Sequence, residues 1–397
     1  MNLRVRRLGA ALVRLGFAIG CLAPIRRRVV LATAHADRIG GNLAWIREQL
    51  VSHEPAIEVK VLAHRATDGL RGRVRSIVDL LVAGWQLATA RVFVVDDYYL
   101  PLYAIRPRSA TTVVQAWHAC GAFKRFGYSV VDKGFGADEA MVAEFPIHTN
   151  YDVCLVSSMG VARFYAEAFR QPIERFTSRL GIPRTDLFFD GVRSAAAAAA
   201  IRARYRLPEG RRIVLYAPTF RGARTTLARS PEDLDLGALR DAIGSDHLIL
   251  LRAHPFATAA RPGGGARGAG AGQGTPDSGT FAVDVSDYPD LNELMLVSDV
   301  LVTDYSSAIY EFALLDRPIA FFAPDHDAYQ AERGFYLDWP DDLPGPVFET
   351  TDTLAAYLRA GEFDLDRVRR FAAASFDIAD GGATRRFIAE LVVPALG

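Results

Sequence analysis

From Val29 onward, short runs rich in β-branched residues alternate with longer helix-patterned stretches. That alternation restricts the chain to folds in which parallel strands are joined by crossover helices. In the first half the predicted strands are Val29–Thr33, Ile57–Ala63, Val92–Asp96, Thr112–Trp117 and Val153–Ser157. A second series starts near Arg211, with Ile213–Ala217, Leu248–Arg252, Ala282–Val285, Val300–Thr303 and Ile319–Phe322. Between them, the alanine run Ala195–Ala200 leads into Ile201–Tyr205, and its helix propensity predicts a connecting helix instead of a flexible linker. At 397 residues, half of them apolar, the chain is long enough for two cores. The expected class is α/β, with two Rossmann-like domains facing across a cleft. The expected boundaries are a membrane-associating N-terminal helix over 1–28, a first domain over 29–194, the connecting helix over 195–210, a second domain over 211–350 and C-terminal helices over 351–397.

Lys plus Arg equals Asp plus Glu at 46 each, so no global field marks a nucleic-acid partner and anion binding has to come from local clusters. One local excess stands out: residues 1–28 hold Arg4, Arg6, Arg7, Arg14, Arg26, Arg27 and Arg28 and no acid. The apolar stretch Leu8–Pro24 is interrupted by Arg14 and is shorter than the roughly 20 residues a spanning helix needs. Leu8, Leu12, Leu15, Ile19 and Leu22 share one helical side flanked by Arg7 and Arg14, as in an amphipathic helix lying in the headgroups of an anionic membrane. Val13 and Phe17 interrupt that segregation. A core helix and an export signal are the competing readings, and the arginine triplet after Ile25 argues against cleavage and export. The three cysteines are odd in number, widely spaced and without a CxxC, which fits a reducing compartment and neither a disulfide scaffold nor a zinc site. Pro262–Gly279, mostly Gly, Ala, Ser and Pro, is expected to be a surface loop, either a plain insertion or a cover over a site.

Ligands of doubly wound sheets bind outside the carboxyl ends of strands, so the informative residues are those that follow each strand. His118 follows the strand ending at Trp117, with Lys124 and Arg125 shortly after, and His254 follows the strand ending at Arg252. Such histidines are suited to take a proton from an attacking hydroxyl or to stabilise a phosphoryl oxygen. Thr303 ends a buried strand, and Asp304, Ser306 and Ser307 lead into a helix that carries Glu311. The helix terminus and its hydroxyls suit a phosphate, though a plain N-cap explains the serines equally well. Arg184 and Arg221 sit in proline-containing turns, Arg221 directly after a strand, and a guanidinium donates two parallel hydrogen bonds to phosphate. No GxGxxG, Walker A, HExxH or GxSxG is usefully placed, and no metal cage or cofactor site is expected. Asp96 and Asp97 form an acidic pair after a strand, for which capping a turn is the simpler use.

Five blocks together carry a resemblance. They are QAWHACGAFKRFG at 115–127, GIPRTD at 181–186, LYAPTFR at 215–221, LRAHP at 251–255 and LNELMLVSDVLVTDYSSAIYEFALLDRPIAFFAPD at 291–325. Weaker echoes lie at Gly41 and Asn42, RGFYLDW at 333–339 and DGGATRRF at 380–387. The chain resembles the CDP-glycerol glycerophosphotransferase family of teichoic acid synthesis. The resemblance implies a glycosyltransferase B type fold, the acceptor handled by the first half, the nucleotide donor by the second, and a peripheral location on the cytoplasmic side of the cell membrane. It matches His118 and His254 to the family's two functional histidines, and Ser306 and Ser307, with Thr303, to hydroxyls near the donor phosphate. Arg184 and Arg221 fall on motif positions, and Lys124, Asp304 and Glu311 are expected nucleotide or acceptor contacts. Ala119, Cys120 and Gly121 depart from the commoner WHGTPLK form, which bears on acceptor preference.

The implied reaction moves glycerol phosphate from CDP-glycerol to a hydroxyl of a lipid-linked saccharide or polyol-phosphate acceptor and releases CMP. Transfer from CDP-ribitol, a nucleotide-sugar glycosyltransferase on the same fold, and a non-catalytic polyanion-binding membrane protein are the alternatives. A chain of this length is expected to add one unit, as a primase, in preference to many.

Overall fold

The strand pattern resolves into two separate six-stranded sheets, each parallel throughout, in a computed structural model that describes residues 3–34, 36–63, 69–131, 133, 138–221, 233–253 and 280–397. The chain divides into two units: residues 1–120, 126–186 and 376–397 form one, and residues 121–125 and 187–375 the other.

The first unit holds β1 (Arg26–Thr33), β2 (Glu58–Ala63), β3 (Ala90–Val95), β4 (Thr112–Gln115), β5 (Val153–Leu155) and β6 (Phe176–Thr177), in the order β2-β1-β3-β4-β5-β6. The order reverses between β1 and β3, as in flavodoxin-like sheets. The second unit holds β7 (Arg212–Tyr216), β8 (His247–Leu251), β9 (Ala282–Asp284), β10 (Val300–Thr303), β11 (Ile319–Phe322) and β12 (Val347–Phe348), in the order β12-β11-β10-β7-β8-β9. Read from β9, this is the 3-2-1-4-5-6 order of a dinucleotide fold, with its switch point between β7 and β10. Central strands such as β10 and β11 are buried along their whole length, because helices cover both faces, and so they read as continuous apolar runs. β6 and β12 were not anticipated: two residues carry no periodicity.

The alanine run lies in the helix Gly191–Tyr205, which starts at Asp190, whose carboxylate accepts from Arg193 N at 2.9 Å, and stops at Arg206 in the left-handed region. In the second unit Phe123 is buried against Phe335, Phe321 and Trp339, and Lys124 pairs antiparallel with Phe335. Gly121 sits where any Cβ would lie 2.1 Å from the Tyr310 ring, so only glycine passes there.

At the other end of the sequence, α1 (Leu3–Gly20) packs on α3 (Gly69–Thr89) through its smallest residues. Gly9, Ala10, Val13, Gly16 and Gly20 are its buried positions, and a Cβ on Gly16 would stand 2.1 Å from the Leu81 carbonyl oxygen. Val13 therefore faces the protein. Leu8, Leu15 and Ile19 on α1, Leu22 just past its end, and Val74, Ile77, Val78 and Val82 on α3 are left exposed. Among the described residues no helix is long and apolar enough to cross a membrane.

Candidate functional site

Each unit carries a polar cluster at the carboxyl ends of its strands. In the second unit that cluster lies at the switch point, where chain leaving β7 supplies Thr219 and Arg221 and chain leaving β10 supplies Asp304, Tyr305, Ser306 and Ser307. The Thr303 hydroxyl donates to the Ala217 carbonyl at 2.7 Å and stitches β10 to the end of β7. Asp304 is buried: Oδ1 accepts from Thr219 N and Tyr305 N, and Oδ2 accepts from Arg221 Nη1 at 2.9 Å. Arg221 also grips Asp325 with two nitrogens and lies over the stacked rings of Tyr305 and Tyr329. Burial works against its charge, but Asp325 and Asp304 outweigh burial and hold its pKa above the usual arginine value. Asp325 is likewise held below the ordinary carboxylate range, since hydrogen bonds from Arg221 and Tyr305 overcome its partial desolvation.

Ser306 and Ser307 are half-buried; Ser306 Oγ accepts from Ala308 N at 3.2 Å, and Ser307 precedes the six-residue helix Ala308–Ala313 with no side-chain cap bond. Glu311 is buried within that helix. Lys124 Nζ donates to Tyr329 Oη at 3.4 Å. Thus Arg221, Asp304, Thr303, Ser306 and Ser307 come together at one switch point, while Thr303, Asp304 and Arg221 spend their polar groups on one another and on the loop backbone. His254 and the segment 262–279 lie outside the described residues; Arg252, just before, is buried and donates to the Ser286 carbonyl at 2.5 Å.

In the first unit His118 stands exposed beyond the end of β4. Its Nδ1 is 3.6 Å from Asp97 Oδ2 and 3.4 Å from the Asp96 carbonyl oxygen, both at the end of the neighbouring strand β3. Asp97 caps its own turn, as its Oδ1 accepts from Tyr98 N at 2.6 Å, but its other oxygen faces the imidazole. A carboxylate on Nδ1 favours the proton there and leaves Nε2 as the basic nitrogen.

The residue before His118 is strained. Trp117 has φ +50°, in the left-handed region, which for a bulky side chain costs on the order of 1–3 kcal/mol. Its ring is buried and packed by His118, Phe126, His148 and Phe169. Arg184 belongs to this unit: its Nη1 donates to the His118 carbonyl at 2.5 Å, and its Nη2 approaches Cys120 Sγ at 3.8 Å. Burial pushes the Cys120 thiol up, against the pull of Arg184. Asn42, at the start of α2 (Gly41–His53), is buried and donates to the Ala116 and Trp117 carbonyls at 2.9 Å each. Neither Asn42 nor Asp97 was singled out for a role at His118. A signal existed for Asp97, since both it and His118 follow consecutive strands, and adjacency of those strands in the sheet brings them together.

A sequence model described as CDP-Glycerol:Poly(glycerophosphate) glycerophosphotransferase matches residues 18–393. The teichoic acid ribitol-phosphate primase of Bacillus spizizenii is 33% identical over 371 residues, which are 93% of this chain and 92% of that protein. The teichoic acid poly(ribitol-phosphate) polymerase of the same organism is 32% identical over 99% of this chain and 61% of its own length. Among solved structures, a variant of the wall teichoic acid polymerase TagF aligns with a TM-score of 0.76 over 99% of this chain and 94% of that one, at 23% identity, a likeness of fold. A match running through both sheets and both strand-end clusters leaves one assignment: the chain belongs to the CDP-glycerol:poly(glycerophosphate) glycerophosphotransferase family.

Proposed function

We propose that this chain transfers a polyol phosphate from a CDP-activated polyol to a hydroxyl of a lipid-linked acceptor, with His118 as general base. Membership of the family makes it a phosphotransferase of teichoic acid synthesis. The reading of the site rests on one observation: an exposed imidazole at the end of β4 whose Nδ1 faces the Asp97 carboxylate at 3.6 Å. His118 Nε2 takes the proton of the acceptor hydroxyl while that oxygen attacks the β-phosphorus; the bond from phosphorus to the bridging oxygen breaks, and CMP leaves with the bonding pair. Ser306 and Ser307, at the switch point of the second unit, are the candidates to bind donor phosphate, with His254 as the second functional histidine. Thr303, Asp304 and Arg221 shape that loop. Lys124 and Glu311 remain candidate contacts.

Glycerol phosphate is the group that the family description names, and ribitol phosphate is favoured by the two relatives above, both ribitol-phosphate enzymes. CMP release and product mass, measured with CDP-glycerol and CDP-ribitol side by side on a lipid-linked disaccharide acceptor, decide between them. Removing a general base typically lowers the rate by about 10² to 10⁴. His118→Ala with full turnover would end the assignment.

The location that goes with such an acceptor is peripheral, on the cytoplasmic face of the cell membrane. The exposed apolar residues of α1 and α3 form the docking face in this reading, with an anionic bilayer as its occupant. Arg6, Arg7 and Arg14 are engaged by Met141, Glu144 and Ala104, and the exposed Arg26 and Arg27 supply the attraction to lipid phosphate in this reading.

A further inference from the structure

The turn that carries His118 is irregular backbone, and irregular backbone holds one shape only if its polar groups are tied down. Here five consecutive carbonyl oxygens, from Ala116 to Cys120, each accept a hydrogen bond from a side chain. Asn42 Nδ2 serves Ala116 and Trp117, both at 2.9 Å. Arg184 Nη1 serves His118 at 2.5 Å, Tyr165 Oη serves Ala119 at 3.0 Å, and Ser157 Oγ serves Cys120 at 2.8 Å. The four donors come from α2, from the 3-10 stretch Pro183–Phe189, from the helix Met159–Phe169 and from the segment after β5. Asn42 and Arg184 are also tied to each other, since Arg184 N donates to Asn42 Oδ1 at 3.0 Å. That bond fixes the orientation of the amide, because its oxygen faces an N–H while its nitrogen faces two carbonyls.

We propose that Asn42 and Arg184 are positioning residues for the transfer reaction: they hold the strained Trp117–His118 turn in the one shape that keeps the imidazole against Asp97. The inference rests on His118 being the base. Asn42 serves the two carbonyls that flank the left-handed residue, so its loss frees the backbone at the point of strain. Arg184 takes up the next carbonyl, that of His118 itself, so the strain at Trp117 is enclosed on both sides by fixed donors. Displacement of a reacting group by about 1 Å can lower a rate about 10²-fold, which sets the scale of the effect.

The test is a double-mutant cycle with His118→Ala on the full chain, using whichever CDP-polyol the wild type turns over. Asn42→Ala and Arg184→Ala are each expected to lower kcat by about 10 to 10²-fold and to move the donor KM by no more than about 2-fold. On the His118→Ala background neither should lower the residual rate further, because both act through the imidazole. Arg184→Lys, which can still reach one carbonyl, should recover part of the loss. Full kcat in both single variants, or losses that add to that of His118→Ala, would overturn the inference. Full turnover by His118→Ala with a loss in Asn42→Ala would instead sink the base assignment and take the inference with it. If Asn42→Ala does not fold, Tyr165→Phe, which removes a single donor, and Arg184→Ala carry the cycle. A readout independent of turnover is the His118 ring resonance in protein labelled with 15N-histidine. It is expected to be sharp in the wild type and exchange-broadened in Arg184→Ala; equal sharpness in both would count against positioning.

Discussion

Arg221 and Asp325 meet in a two-pronged ion pair, Nε to Oδ2 at 2.6 Å and Nη2 to Oδ1 at 3.0 Å, while the remaining nitrogen of the guanidinium holds the buried Asp304. The arginine is thus already answered by two carboxylates before any phosphate arrives. Removing it strands Asp304, which is 1% exposed. Arg221→Ala is expected to lower the unfolding free energy by about 3 kcal/mol, read as a drop in the urea midpoint. An unchanged midpoint with a raised donor KM would make Arg221 a phosphate ligand instead.

Asp97 lies on the Nδ1 side of His118, and its amide analogue keeps shape but loses the charge. Asp97→Asn should therefore lower kcat by roughly 10² with an unchanged melting temperature, measured by CMP release. A wild-type rate would confine the carboxylate to its hydrogen bond with Tyr98.

His148 is fully buried, its ring stacked on Phe169 with centroids 3.8 Å apart, and burial holds its pKa well below the ordinary value of 6.5. Folded, it stays neutral where the unfolded chain already binds a proton, so the unfolded state gains as the medium becomes acidic. Stability is full above about pH 6.5 and falls as pH drops from there towards the folded pKa. His148→Asn, which tolerates the φ of +59° at this position, should unfold more easily at pH 8 yet lose less stability between pH 6.5 and 5. Parallel urea curves across that range for both proteins would refute the linkage.

Gly84 on α3 has no room for a methyl group: its Cβ would stand 2.1 Å from the Val13 carbonyl oxygen and 2.7 Å from Phe17 N. Gly84→Ala is expected to destabilise by about 1–3 kcal/mol. Gly191, at the start of its helix, has nothing within 4 Å of its would-be Cβ, and Gly191→Ala should be neutral or stabilising by up to about 1 kcal/mol. Thermal melts of the two variants give the comparison.

Leu15 and Val78 are both more than half exposed, on different helices of the same pair. Burying such a side chain in lipid is worth about 1.5–3 kcal/mol, so Leu15→Glu and Val78→Glu should each weaken binding to phosphatidylglycerol vesicles at least about 10-fold. If Leu15→Glu alone weakens binding, only α1 touches the membrane; if neither does, the docking face is wrong.

Much of this architecture could be read from the chain because parallel sheets covered on both faces demand near-continuous apolar strands. Val300–Thr303 and Ile319–Phe322 match their strands end to end. The rule that chemistry follows strands points to His118, Arg221, Ser306 and Ser307, and each of these does lie beyond the carboxyl end of a strand. Asn42 was hidden because the carbonyls it serves lie more than 70 positions along the chain, whereas Asp97, which also follows a strand, needed only the adjacency of β3 and β4. Arg184 was expected to meet phosphate, since a guanidinium in a turn looks the same whether its partner is a ligand or a carbonyl.

By itself the sequence determined the class of the fold, the positions of most strands and the residue types available at their ends, because those follow from periodicity and local propensity. Only the tertiary structure decided strand order, and with it the flavodoxin-like switch point of one sheet and the dinucleotide-type switch point of the other. It also decided that α1 buries glycines and turns leucines outward, and that five carbonyls around His118 are held from four separate segments. Such contacts join residues up to 142 positions apart, as between Arg184 and Asn42, and no local pattern records a partner that distant.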